Sequence, residues 1–204
     1  MNLIPFSSML HLFLKVNRFF RLKLIFVLVF SFAISFKVTA QTEAEKFTAR
    51  NLVYLEIGGN AGQYAFNYGS LIYQKRAFKV IGSVGFSLWV EPIEGPTIWN
   101  PAIPLEVSTL FGAKKHHLEF GVGITPFLQA GVNSSWESGN LVQSKGASHL
   151  GAILPIRVGY RYQKPEGGFF FRLGYTPFFA MPNKTREYWA FQPVFAGLGL
   201  GVSF

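Results

Sequence analysis

The chain has 204 residues, of which 50% are hydrophobic, 17% aromatic and only 14% charged. Soluble domains carry about 25% charged residues, so an ordinary water-exposed surface is not expected. Beyond residue 40 no apolar run approaches the ~18 residues of a membrane-spanning helix. High apolarity without helix-length runs is typical of a membrane β-barrel, in which every second residue faces the interior.

The first 40 residues have the three parts of a cleaved secretory signal peptide. Basic residues from Lys15 to Lys23 precede an apolar run from Leu24 to Phe36, and residues 38–40 form a cleavage point. A single anchoring helix is the alternative, but the run is short for one. Translation from Met1 or from Met9 fits this pattern. Because five of the 19 Lys and Arg residues fall in this segment, the net charge of +9 does not indicate nucleic-acid binding.

Residues 41–50 are polar and unpatterned, and we expect them to form a short periplasmic lead-in to a single domain, residues 51–204. Apolar residues alternate there with small or polar ones, which predicts β-strands. The alternation is clearest from Val194 to the terminal residue, Phe204, which is expected to close the barrel. The predicted strands are residues 51–59, 63–74, 77–90, 103–112, 116–128, 149–163, 169–181 and 191–204.

The connections between the predicted strands alternate in length. Residues 75–76, 113–115 and 164–168 form short turns, whereas residues 91–101, 131–148 and 182–189 form long loops; residues 60–62 are the exception. An even strand number with short periplasmic turns and long external loops is typical of outer-membrane barrels. We therefore predict an all-β, eight-stranded, antiparallel, up-and-down transmembrane β-barrel in the cell outer membrane. A soluble lipocalin-like barrel is the rival, and it would enclose the apolar residues.

The sequence predicts that the strand register is irregular at several positions. The alternation blurs around Ser70, which predicts a bulge there. Pro126, Pro155, Pro177 and Pro193 fall inside predicted strands, where each removes a hydrogen-bond donor. These prolines are therefore expected at bulges or near strand ends.

Five short segments of the predicted strands and turns are distinctive: residues 55–60 (LEIGGN), 66–68 (FNY), 117–121 (HLEFG), 159–163 (GYRYQ) and 167–172 (GGFFFR). With these segments the chain resembles uncharacterised outer-membrane β-barrels from the Bacteroidota. The resemblance covers the chain after the predicted signal peptide. It implies a barrel in the outer membrane and assigns no activity.

Charged residues collect on the face of the strands that the alternation predicts to be internal. An eight-stranded barrel is just wide enough for its own side chains, and an unpaired buried charge is costly. The charges are therefore expected to pair and to fill the lumen, with a narrow ion path or a proton-linked gate as the alternative. The expected network is Glu56, Lys79, Glu106, His117, Glu119, Arg157, Arg161 and Arg172.

His116, His117 and Glu119 suggest a catalytic or metal site, because the last two share a face. Neither reading is adopted: no serine lies in a recognisable nucleophile motif, and the histidines adjoin a turn on the periplasmic side. A histidine at the barrel rim is the simpler interpretation. We predict no catalytic residue, no metal ligand and no cofactor.

Aromatic residues concentrate near the ends of the predicted strands, as in interfacial girdles. Trp99 and Trp136 lie in the predicted long loops and are the candidates for binding at the cell surface. The sequence thus predicts a monomeric barrel with a structural or interaction role through its external loops. Its partners would be outer-membrane lipid, lipopolysaccharide and, during insertion, the barrel assembly machinery. A lipid-modifying or lipopolysaccharide-modifying enzyme and a narrow channel remain the alternatives.

Overall fold

The computed structural model describes residues 44–91, 97–137, 140–182 and 187–204. The predicted signal peptide and residues 41–43 lie outside this part of the chain. No helix long and apolar enough to span a membrane occurs among the described residues.

Thirteen strands and one short 3₁₀ turn make up the described chain. The first strands are β1 (Asn51–Gly58), β2 (Tyr64–Lys75), β3 (Phe78–Glu91), β4 (Ile98–Ala102), β5 (Leu105–Phe111) and β6 (His116–Gln129). The rest are β7 (Val132–Glu137), β8 (Asn140–Lys145), β9 (His149–Gln163), β10 (Gly168–Tyr175), β11 (Phe178–Ala180), β12 (Ala190–Gln192) and β13 (Ala196–Ser203). The 3₁₀ turn is Gly59–Ala61.

Eight of these strands pair in a closed antiparallel ring, in the order β1, β2, β3, β5, β6, β9, β10, β13 and back to β1. The ring closes between the first and last strands, whose register runs from Leu52 opposite Ser203 to Gly58 opposite Gly197. Asn51 and Phe204 then exchange two backbone hydrogen bonds of 2.9 Å, so the terminal residue completes the seam. The predicted antiparallel arrangement of eight strands is confirmed.

The ring has two different ends. The turn end carries the short connections around Arg76, Lys114 and Pro165 together with Phe204. At the opposite loop end, β4, β11 and β12 extend the wall: β4 pairs with β3 and β6, and β11 pairs with β9 and β12. Each of these three short strands continues a ring strand after an interruption.

The sheet is irregular at one bulge and near the prolines. The register between β2 and β3 shifts between Leu71 and Tyr73, which confirms the predicted bulge. Pro177 and Pro193 lie where β10 and β13 are interrupted. Pro126 and Pro155 lie inside β6 and β9, but each adjoins an interrupted neighbour. Pro126 O accepts from Ile103 N at 3.0 Å and Pro177 O accepts from Ile156 N at 2.9 Å, so the prolines serve as acceptors only.

Two predicted loops are wrong in part. Residues 98–101 of the predicted loop 91–101 belong to β4, and residues 132–137 and 140–145 of the predicted loop 131–148 form the separate hairpin β7–β8. Three prolines suggested an irregular backbone in the first loop, and polar composition suggested one in the second. Strand pairing satisfies backbone groups whatever side chains they carry, and β7 and β8 pair only with each other among the described strands.

Residues 44–50, called here the strap, fold against the turn end of the ring. Glu45 N donates to Ala113 O at 3.2 Å, whereas Thr48 N and Ala49 N donate to Pro165 O at 2.9 and 3.0 Å. The strap therefore reaches from the β5–β6 turn to the β9–β10 turn. This packing of the strap was not predicted from the sequence.

The β1–β2 connection turns into the ring from the loop end. Gly58 and Gly59 adopt positive φ values of 67° and 59°, which bend the chain inward and bury Asn60 and Ala61. Asn60 Nδ2 donates to Leu105 O at 3.1 Å, and Thr125 Oγ1 donates to Asn60 O at 2.6 Å. This inward turn, residues 58–62, occupies the interior above the charged side chains.

Replacing Gly197 by alanine tests how closely the inward turn fits. A Cβ at this position would lie 2.6 Å from Gly59 Cα and 2.9 Å from Gly59 N, and neither backbone atom belongs to a flexible side chain. We expect Gly197→Ala to lower the free energy of unfolding by about 1–3 kcal/mol, as overpacking does. Urea unfolding of the refolded protein measures it. Ala196→Val, on the adjacent exposed position, should change little, and equal stability of both variants would contradict this fit.

Candidate functional site

The candidate site is a cluster of six ionisable side chains inside the ring, each no more than 5% exposed. Its members come from β1, β5, β6, β9 and β10, whose inward positions face one another across the ring. This ion cluster consists of Glu56, Glu106, Glu119, Arg157, Arg161 and Arg172.

Arg172 is the centre of the cluster, because its guanidinium contacts all three carboxylates. Its Nη2 lies 2.8 Å from Glu56 Oε2, and its Nη1 lies 3.2 Å from Glu106 Oε1 and 3.3 Å from Glu119 Oε1. The Tyr54 ring covers this guanidinium, with its centroid 4.6 Å from Arg172 Cζ. One side chain on β10 thereby connects acids on three other strands.

Arg157 and Arg161 complete the pairing. Arg157 Nε lies 3.0 Å from Glu106 Oε1, and its Nη2 bonds Glu56. Arg161 bonds Glu119 and, through Nη2 at 3.2 Å, the hydroxyl of Ser108. Three guanidinium groups thus face three carboxylates, and the cluster is formally neutral. Such pairing is the condition under which charges persist in a buried site.

Lys79 and His117 belong to the predicted network by position, but they do not join the ion cluster. Both are buried towards the turn end. Lys79 Nζ donates to Gly112 O at 2.8 Å and lies 4.7 Å from the centre of the Phe47 ring. The His117 ring meets the same phenyl ring edge-on at 5.5 Å. Phe47 of the strap therefore covers both groups.

The geometry around the two histidines adds no support for a catalytic site or a metal site. His116 faces outward and its Nδ1 lies 2.6 Å from Tyr160 Oη, whereas His117 faces inward. Ser108 accepts from Arg161 and Ser83 donates to the carbonyl of Glu106 at 3.5 Å, so neither hydroxyl meets a histidine. Within the described residues no group of three His, Cys, Asp or Glu side chains is arranged for a metal.

The predicted surface candidates do not form one site. Trp99 is 55% exposed on β4, and Trp136 is 75% exposed on the β7–β8 hairpin. No described contact joins the two indoles. Phe204 is exposed on the outer face of the ring and acts in closure through its backbone.

The structure has a cavity at the loop end that was not predicted from the sequence. This vestibule has a volume of about 590 Å³ and lies among the outer parts of β3, β4, β6, β9, β11 and β12. Its walls include Trp89, Phe127, Phe178 and Ile153. One sequence pattern could have indicated this cavity. The inward positions of β3 and β6 change from charged residues near the turn end to aromatic residues near the loop end.

Comparison with known proteins assigns no family. No family model and no curated protein matches the chain. A solved structure, the N-terminal β-barrel domain of Pseudomonas aeruginosa OprF, is similar with a TM-score of 0.45 and 15% sequence identity. The match covers 76% of this chain and 96% of that one.

Proposed function

We propose that the protein is a small, monomeric barrel of the cell outer membrane whose lumen is closed and whose role is structural or interactive through its loop end. One observation carries the proposal: the ring has its apolar side chains outside and its charges inside. A water-soluble ring of this size would have the opposite arrangement.

The exposed apolar surface supports placement in lipid. Every strand of the ring presents a large apolar side chain to the outside with 38–66% of its area exposed. Monomeric soluble proteins rarely expose apolar patches beyond a few hundred Å². The residues, in ring order, are Leu55, Phe66, Val84, Val107, Val122, Ile156, Leu173 and Leu200.

The filled interior supports a closed lumen. The strap and Phe47 cover the turn end, the ion cluster crosses the middle, and the inward turn occupies the space above it. An ion would have to displace paired charges and buried backbone to pass. Outer-membrane lipid and lipopolysaccharide would surround the wall, and the barrel assembly machinery would insert it.

Two measurements on the refolded protein test this proposal. Unboiled protein refolded into lipid vesicles should migrate differently from boiled protein on a gel and resist protease, because an inserted barrel stays folded in SDS. Planar bilayers containing it should show no discrete conductance steps. Folding in water without detergent or lipid would contradict the membrane assignment, and regular conductance steps would contradict the closed lumen.

A further inference from the structure

The vestibule is a built cavity rather than a gap between loops. Its volume of about 590 Å³ falls within the ~300–1,000 Å³ of small-molecule sites. Trp89 and Phe127 pack at 4.7 Å between ring centres, and Trp89 Nε1 donates to Ala61 O at 2.8 Å. The inward turn thus holds an aromatic wall of the vestibule in place.

The wall of the vestibule has a stretch where the described strands are unpaired, called here the notch, because the β1–β2 connection turns inward early. β1 ends at Gly58, whereas β3 continues to Glu91 and the wall beyond β13 continues as β12. Among the described strands, β12 pairs only with β11. The facing edge of β3 is closed by Gln63, whose amide bonds Val90 N at 3.0 Å and Val90 O at 3.2 Å. Residues of both edges line the vestibule.

The chemistry of the lining selects an uncharged occupant. None of the lining residues is acidic or basic; they are aromatic, aliphatic or amide side chains. The inward pair Ala180 and Ala190, directly opposite each other on β11 and β12, leaves room beside Phe178. The amide side chains among the lining residues are Gln63, Asn100, Gln129 and Gln192, so an occupant meets aromatic, aliphatic and neutral polar groups.

The level of the notch identifies the nearest apolar molecule. From Gln163 at the turn end to Ile153 in the vestibule, ten residues rising ~3.3 Å each and tilted ~40° span about 25 Å along the ring axis. This distance equals the ~25 Å height of the apolar band of outer-membrane barrels. Phe179, Phe191 and Val194 beside the notch have exposed apolar side chains. The notch therefore lies at the upper limit of the apolar band, where outer-leaflet acyl chains meet their headgroups.

We propose that the vestibule binds one acyl chain of an outer-leaflet lipid, which enters sideways through the notch. The proposal rests on the membrane placement proposed above. A chain in this position contacts the aromatic wall and the space beside Ala180 and Ala190, whereas its headgroup stays at the membrane surface. Contact with a packed wall, rather than release from water, would supply the binding energy.

Tryptophan quenching by brominated lipid tests this proposal. In Trp99→Phe/Trp136→Phe/Trp189→Phe protein, Trp89 is the remaining indole and reports from inside the vestibule. We expect it to lose most of its emission in vesicles of phosphatidylcholine with dibrominated chains, relative to unbrominated vesicles. Adding Ala180→Phe and Ala190→Phe, which fill the vestibule, should restore that emission. A gel shift on heating checks that each variant is folded.

The matched control places an indole on the outer face of the same wall. It carries Phe179→Trp with all four native tryptophans replaced by phenylalanine, and it should be quenched whether or not the vestibule is filled. Unquenched emission from position 179 would overturn the membrane placement itself. Quenching at position 179 with bright Trp89 would overturn only the chain-binding proposal. Quenching of Trp89 that persists in the filled variant would also overturn it, because the bromines would then act through the wall.

Discussion

Arg172→Met should lower the free energy of unfolding by about 3–5 kcal/mol, the cost of removing one partner from a buried ion pair. Arg172 is 1% exposed and contacts Glu56, Glu106 and Glu119. Without it, two buried guanidinium groups face three buried carboxylates. Urea titration of the refolded protein, followed by tryptophan emission, gives the change.

Three further variants separate charge from shape. Arg172→Lys keeps the positive charge but loses the planar guanidinium group. Its free energy of unfolding should therefore lie between those of the wild type and Arg172→Met. Glu56→Gln should lower the free energy of unfolding less in the Arg172→Met background than alone, because it removes a carboxylate charge that has lost its partner. The coupling energy between the two substitutions should reach about 0.5–3 kcal/mol. Lys75→Met, at an exposed turn position, is the control and should change little. A similar stability of Arg172→Met and Lys75→Met would contradict the role of the cluster.

The Arg172→Met variant also tests whether the ion cluster stabilises the ring or blocks an ion path through it. The strap and the inward turn do not depend on the Arg172 side chain for their backbone hydrogen bonds. We therefore expect planar bilayers containing Arg172→Met protein to stay silent. Discrete conductance in this variant would favour the narrow-channel alternative, since a single side chain would then be the barrier.

Period-two alternation was enough to predict which strand residues face inward, because neighbouring side chains of a strand point to opposite faces. It could not assign partners within the ion cluster. Arg172 and Glu119 lie on strands separated by β9 in the ring, so their contact depends on the ring being closed and narrow. The vestibule was missed because Ala180 and Ala190 carry no distinguishing chemistry until pairing places them opposite each other.

The strap was missed for a different reason. A segment of seven residues with one aromatic side chain has no period to detect, and its neighbours in sequence are polar. Its packing is specified by residues far along the chain: Phe47 N donates to Gln74 Oε1 at 3.0 Å, and Gln74 Nε2 donates to Glu45 O at 3.0 Å. These contacts join residues 27 and 29 positions apart, so no local sequence pattern shows them.

Phe47→Ala should lower the free energy of unfolding by about 3 kcal/mol, near the lower end of the cost of truncating a buried phenylalanine. Phe47 is 2% exposed and lies over both Lys79 and His117. Its removal leaves a cavity beside a buried ammonium group and opens the turn end to water. Phe47→Leu keeps most of the apolar contact and loses the attraction between ring and cation, which contributes about 0.5–2 kcal/mol.

Two measurements check this prediction. Urea unfolding gives the stability, and amide hydrogen exchange shows where water enters: protection should fall at Thr48 and Ala49, whose amides bond Pro165, before it falls in the ring strands. Phe169→Ala is the matched control, since Phe169 lies near the same end but is 57% exposed on the outer face. If Phe47→Ala cost no more than this control, or if exchange rose uniformly through the ring, the strap would be an appendage and the ion cluster alone would close the lumen.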